Sequence, residues 1–262
     1  IKPYIERILA GEENVLWPGK PLYFCKTSGT TSGVKFIPLS SSSIKNHIRS
    51  ARDSILYYIY ETKNTSIVSG KMIFIQGSPV LEQINSISVG RLSGIVAHHV
   101  PFYLKKNQLP SFEVNSISDW EKKIDAIVSE TKNKKMTVIG GIPPWVQMYF
   151  EKLQSSSGKL ISDLFPFFSL FVYGGVNYSP YRASFNALIG KDVSTIETYP
   201  ASEGFIAYQN SQKSPEGLLL CVNNGIFFEF IEVDSFFSKN PKRMCLSAVE
   251  LEKNYVLILN TN

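Results

Sequence analysis

The sequence predicts an α/β protein: a largely parallel sheet with helices on its faces, passing into a more antiparallel β region at the C-terminal end. Three observations carry that prediction. Apolar segments of strand length alternate with segments whose apolar residues recur at helical spacing. Two strand-like segments, Thr137–Ile139 and Leu170–Tyr173, end in paired glycines, as strand-to-helix turns of parallel sheets often do. Beyond Glu203 the helical spacing fades, and Asn223-Asn224-Gly225 supplies a hairpin signal.

From the N-terminus, Ile1, Ile5, Ile8 and Leu9 recur at helical spacing and Gly11 is the expected stop. Leu22 to Cys25 reads as a strand running into the polar segment Thr27 to Gly33, after which Phe36-Ile37-Pro38 resumes an extended course. Ser40 to Ser43 would cap a helix with Ile44, Ile48, Ala51, Ile55 and Ile59 on its inner face. Met72 to Ile75 is the next strand, and Ile95 to Tyr103 is expected to contain another. Ser118 and Glu121 form a capping box ahead of a helix bearing Trp120, Ile124, Ile127 and Val128. Pro143 and Pro144 suit the first turn of a helix running through Leu153. Tyr181 to Ile189 reads as a helix and Val193 to Thr198 as a strand. Leu218 to Val222 and Ile226 to Val233 flank the Asn-Gly turn, and Tyr255 to Leu259 is the last strand. The expected division is an α/β core over 1–204 and a β-rich part over 205–262.

With 262 residues, 44% of them apolar and 19% charged, the chain can bury a substantial core. A net charge of +5, spread out rather than striped with exposed aromatics, argues against nucleic acid as a partner. No apolar run reaches the roughly 20 residues that cross a bilayer, so no membrane partner is expected. Cys25, Cys221 and Cys245 form no CxxC pair, which points to reduced thiols and a cytoplasmic setting rather than to disulfides or zinc. His98 and His99 are adjacent; on a strand they would face opposite ways and share no metal. Neither HExxH nor GxSxG is present, which leaves metalloprotease and serine-hydrolase chemistry unsupported.

Three segments remain. In Ser28-Gly29-Thr30-Thr31-Ser32-Gly33-Val34-Lys35, glycines allow a tight bend that presents backbone N–H groups to an anion, hydroxyls add donors, and Lys35 adds a positive charge. It is not a Walker A loop, because GxxxxGK[ST] is absent and a strand follows the lysine. In Thr198-Tyr199-Pro200-Ala201-Ser202-Glu203-Gly204, a carboxylate at a strand end stands beside a hydroxyl and a flat aromatic. Glu203 suits Mg²⁺, Ser202 an α-phosphate and Tyr199 an adenine face. In Val172-Tyr173-Gly174-Gly175-Val176, paired glycines let a planar base approach the backbone. Each segment alone also reads as an ordinary turn; together they share predicted strand ends, where open α/β sheets bind ligands.

In this order the three segments resemble the adenylate-forming enzymes, whose large domain is the fold type implied. More narrowly, Thr27 to Pro38 and Tyr199 to Phe205 resemble the Gretchen Hagen family, the auxin-responsive acyl-acid amido synthetases of plants and their bacterial relatives. Gly140 to Trp145 and Val222 to Phe230 extend that resemblance along most of the chain. It implies ATP and Mg²⁺ as cofactors and a carboxylic acid and an amine, usually an amino acid, as substrates. Ser28, Gly29, Thr30, Thr31 and Lys35 would hold phosphates. Gly174, Gly175 and Tyr199 would frame adenine, Ser202 would contact the α-phosphate and Glu203 would bind Mg²⁺. The resemblance also implies that the family's Tyr-Arg-x-Gly-Asp motif and small C-terminal domain lie beyond Asn262. On that expectation, 1–262 is a fragment of the adenylation domain and inactive by itself. An acyl-CoA ligase and a nucleotide-binding protein without turnover stay open as alternatives.

Overall fold

A computed structural model describes residues 1–27, 33–213 and 217–261. Its strands, in chain order, are β1 (Tyr23–Thr27), β2 (Lys35–Leu39), β3 (Lys71–Ile75), β4 (Glu82–Ile84), β5 (Ile87–Gly90), β6 (Gln108–Leu109) and β7 (Met136–Gly141). There follow β8 (Leu170–Gly174), β9 (Ser194–Ala201), β10 (Gly204–Tyr208), β11 (Leu219–Leu220), β12 (Ile226–Glu232), β13 (Met244–Cys245) and β14 (Tyr255–Thr261). They form three sheets. The largest has the order β11-β10-β9-β8-β7-β3-β6, and its strands from β9 to β6 are mutually parallel. A second sheet, β2-β1-β5-β4, is mixed, and the third, β13-β12-β14, is antiparallel. The α/β expectation and the change of character toward the C-terminus are both borne out.

The parallel strands are buried on both faces, which is why they read as continuous apolar runs. Val138 of β7 and Leu170 of β8 join a core with Tyr58, Ile67 and Ile196, beneath the helix Ser41–Thr62. Their neighbours Ile139 and Phe171 point the other way, into the main core with Tyr149, Phe150 and Phe185 from the helices Pro143–Ser157 and Arg182–Ile189. Each such ring or branched side chain, fully buried, contributes on the order of 1.5–3 kcal/mol. The second sheet packs Phe24 and Val89 against Ile8 of the helix Lys2–Leu9, and Cys25 and Leu39 against Ile44 and Ile95. Among the described residues no helix is long and apolar enough to cross a membrane.

Five local expectations are corrected. Ile95 to Tyr103 holds no strand: it falls in the helices Leu92–Ala97 and Phe102–Lys105, separated by Pro101. A short apolar run fits either period, and here the residues on both sides of Pro101 take the helical one. His98 and His99 therefore close a helix, where the His98 ring meets the Pro79 carbonyl and the His99 ring the Tyr23 hydroxyl. The buried stripe of Ser41–Thr62 is Ser43, Ile44, His47, Ser50, Ser54 and Tyr58, whereas Ala51 is exposed and Ile48, Ile55 and Ile59 are half-buried. The helix cap at Trp120–Thr131 is Asp119, which accepts from the Lys122 N–H, rather than Ser118.

The fifth correction concerns the Asn-Gly turn. β11 pairs with β10, and β12 with β13 and β14, so the flanking segments do not form a hairpin with one another. Only Gly225 has positive φ there. Asn224 turns inward instead, 3% exposed, and binds the helix Ser41–Thr62. A hairpin does occur between β4 and β5, turning on Asn85 and Ser86, both at positive φ.

Candidate active site

The carboxyl ends of the parallel strands lie in one line, set by the register Ile75↔Gly141, Gly141↔Tyr173 and Gly174↔Thr198. That register seats the Val172–Val176 segment directly beside the start of the Thr198–Gly204 segment. A Cβ on Gly174 would stand 2.3 Å from the Thr198 carbonyl oxygen, so glycine is what permits the two strands to close here. The Thr198 hydroxyl seals the join by donating to the Tyr173 carbonyl at 3.0 Å. Gly175 follows at φ +84°, where a Cβ would meet Ile142 Cγ1 at an ordinary 3.8 Å, and Tyr199 is half exposed beyond the end of β8.

Tyr199-Pro200-Ala201 lie within a strand, where the sequence suggested a loop. β9 runs on past β8 and pairs with β10, through Ala201↔Gly204 and Pro200↔Phe205. Pro200 is tolerated because β8 has already ended on its other side, leaving no ladder there that needs its missing N–H. Ser202 and Glu203 are the two residues of the resulting hairpin turn, the first half-buried and the second exposed. Ser43 and Asn46 of the helix Ser41–Thr62 line a small recess with Glu203, Gly204, Phe205 and Asn224.

The phosphate-loop candidates Ser28, Gly29, Thr30 and Thr31 lie outside the described residues. Their flanks are described: Thr27 pairs with Lys35 across β1 and β2, and Lys35 is exposed at that end. The strand leading into the loop touches the hairpin turn directly, because the Cys25 thiol donates to the Ser202 hydroxyl at 3.0 Å. Burial, and the Glu203 carboxylate nearby, push the Cys25 thiol above its usual pKa. Gly174, Gly175, Tyr199, Ser202 and Glu203 are thus brought to one edge, with the entry to the phosphate-loop segment against it.

Two residues at this edge were read otherwise from the sequence. Cys25 reads from the sequence only as a reduced thiol, and nothing in its spacing signals a polar partner 177 positions away. Asn224 was assigned to a turn. Its amide donates to Ser50 Oγ at 2.7 Å and the Phe205 carbonyl at 3.3 Å, and its oxygen accepts from Arg49 at 3.0 Å. His47, one turn away on the same helix, is 3% exposed with Nε2 unpartnered among the described residues. Burial lowers its pKa to about 4, so it is neutral near pH 7.

This architecture is the fold of the adenylate-forming enzymes' large domain. The chain superposes over its whole length on the solved structure of GH3.15 acyl acid amido synthetase, with a TM-score of 0.72 and 14% identity. AtGH3.15 acyl acid amido synthetase in complex with 2,4-DB gives the same score at 15% identity. The chain spans about half the length of these proteins, 54% and 55% respectively. Residues 1–124 match the GH3 family N-terminal domain, so the resemblance to the Gretchen Hagen family holds over that segment in sequence and over all 262 residues in fold. No curated protein matches the chain in sequence.

Proposed function

We propose that this chain provides the nucleotide-binding edge of an ATP-dependent acyl-acid amido synthetase, which activates a carboxylic acid as acyl-AMP and passes the acyl group to an amine. The observation that carries the reading is the double contact at one sheet edge. Gly174 lies on Thr198, and Cys25, just ahead of the phosphate-loop segment, lies on Ser202. Two segments far apart in sequence therefore meet at this edge, with the strand that leads into the phosphate-loop segment against them, which supports a shared nucleotide site.

In the first half-reaction the acid's carboxylate oxygen attacks the α-phosphorus, a P–O bond forms, and the bond to the β-phosphate breaks to release pyrophosphate. In the second, the amine nitrogen attacks the acyl carbon, AMP leaves, and the nitrogen gives up a proton. Negative charge gathers at the α-phosphate, so donors fixed beforehand lower the barrier. Ser202, held in a two-residue turn between paired strands, would donate to that phosphate, with Ser28, Thr30, Thr31 and the Gly29 backbone on the outer phosphates and Lys35 nearby. Gly174 and Gly175 present a flat backbone and Tyr199 a half-exposed ring, between which a purine can lie.

Glu203 would hold Mg²⁺. Among the described residues no cluster of three metal-binding side chains exists, and a single exposed carboxylate fits an ion that arrives largely coordinated by phosphates and water. Bound there, the ion would offset phosphate charge. The amine class, an amino acid, follows the family resemblance, and a cytoplasmic setting follows from reading the cysteines as reduced thiols. We place the nucleotide-binding residues in 1–204 and read 205–262 as the β-rich flank, with a small C-terminal domain completing the site in the longer protein.

Acid-dependent exchange of pyrophosphate into ATP by the full-length protein tests the reading. Robust exchange, followed by an amide product with amino acids and none with coenzyme A, is the expected result. A thioester product would make it an acyl-CoA ligase, and absence of exchange with a broad panel of acids would leave a nucleotide binder without turnover.

A further inference from the structure

We infer that Cys25 is a positioning residue for Ser202: its buried thiol donates to the hydroxyl oxygen and so leaves the hydroxyl proton turned to the open edge, free to donate to an anion. A serine hydroxyl has one proton and two lone pairs, and its rotor is set by whichever partner claims it first. Here Cys25 Sγ lies 3.0 Å from Ser202 Oγ in the donor direction. The thiol is 1% exposed, so no water competes for its proton. Burial raises its pKa and the Glu203 carboxylate adds to that, which keeps it a donor through the physiological range. A pair of donors thus runs from Cys25 to Ser202 and ends at the sheet edge. Such chains polarise one another, so the last hydroxyl is the better donor for being second in line.

Sulfur is suited to this place. Cys25 sits in an apolar cluster with Leu39, Ile44 and Ile95, where a thiol packs as a small hydrophobe and still carries a weak donor. The assignment rests on the adenylating reading only for the identity of the anion, which that reading makes the α-phosphate of ATP.

The pairing itself is tested without catalysis, through the infrared S–H stretch of Cys25. The difference spectrum between wild type and Cys25→Ala isolates its band from those of Cys221 and Cys245. A hydrogen-bonded frequency that moves up in Ser202→Ala is expected, and a band unmoved by that change would overturn the pairing. In the full-length protein, acid-dependent exchange should fall roughly tenfold in Cys25→Ala. Cys25→Ser, which keeps a donor, should recover part of that loss. In a Ser202→Ala background the same Cys25→Ala change should cost little more. Equal losses in both backgrounds would show that Cys25 acts elsewhere and would overturn the inference. Wild-type protein without exchange would remove the ligase reading instead, and the S–H band would then decide the pairing by itself.

Discussion

Replacing Gly174 by alanine should separate the packing of the site from the stability of the fold. The new Cβ would sit 2.3 Å from the Thr198 carbonyl oxygen and 3.0 Å from its Oγ1. The first distance is roughly 1 Å inside van der Waals contact, against backbone that cannot swing aside. β8 and β9 must part at the position where Gly174 opposes Thr198, and the Thr198–Tyr173 hydrogen bond must lengthen. Overpacking of this kind costs about 1–3 kcal/mol. In a domain of this size that lowers Tm by roughly 2–4 °C for each kcal/mol. The control is Gly158→Ala, which enters the left-handed cap of the helix Pro143–Ser157 at φ +68° with nothing within 4 Å. It should cost about 1–2 kcal/mol through backbone strain alone. Urea unfolding measures both costs, and titration with Mg·ATP under folding conditions measures the site. Gly174→Ala should weaken nucleotide binding at least tenfold while Gly158→Ala leaves it within twofold. A Gly174→Ala protein as stable as wild type would refute the close strand approach, and equal binding losses in both variants would refute the link between that approach and the nucleotide.

Other expectations are as direct. Asn224→Leu leaves Ser50, the Phe205 carbonyl and Arg49 without their partner and should destabilise by roughly 2–4 kcal/mol in urea unfolding; a loss under about 0.5 kcal/mol would mean the buried amide is not holding its loop to the helix. Burial lowers the His47 pKa from 6.5 to about 4, so below pH 6.5 the unfolded chain takes up the proton first and stability drains away as pH falls toward 4, by about 3 kcal/mol at most. Unfolding at about pH 7 and about pH 4.5 should show a shallower loss in His47→Leu than in wild type, and parallel losses would count against a neutral buried ring. Glu203→Ala, at an exposed turn position, should leave stability within about 0.5 kcal/mol yet abolish Mg-dependent ATP binding; unchanged affinity would refute its role.

The parts of this fold legible in the sequence were those in which local pattern and tertiary environment agree. Val138-Ile139 and Leu170-Phe171 alternate between two cores, so both neighbours must be apolar, and the glycines that follow mark where the sheet ends. The serine cap at Ser40 was legible for the same reason, since its bond to the Ser43 N–H is local. Where long-range partners decide, the sequence misled. The helix Ser41–Thr62 buries serines and a histidine because β9 and β10 approach that face, while Ile48, Ile55 and Ile59 stay half-exposed. Asn224-Gly225 carries hairpin chemistry, but Arg49 and Ser50 capture the Asn224 side chain, and β11 finds β10 instead of β12.

The site divides along the same line. Gly174, Tyr199, Ser202 and Glu203 were named from motif order, yet nothing local could show that Tyr199 and Pro200 belong to a strand extending beyond its parallel neighbour. Nor could spacing reveal that a thiol in the strand before the phosphate-loop segment ends on Ser202. The first depends on how far neighbouring strands of one sheet extend and the second on how two separate sheets meet, and both are properties of packing between distant segments.

A crystal structure of the full-length protein with bound AMP or a non-hydrolysable acyl-AMP analogue tests the central claim most directly. The purine should lie between the Gly174–Gly175 backbone and the Tyr199 ring, with the α-phosphate within hydrogen-bonding distance of Ser202 Oγ. A nucleotide seated elsewhere, with Gly174 and Ser202 both left in solvent, would contradict the account.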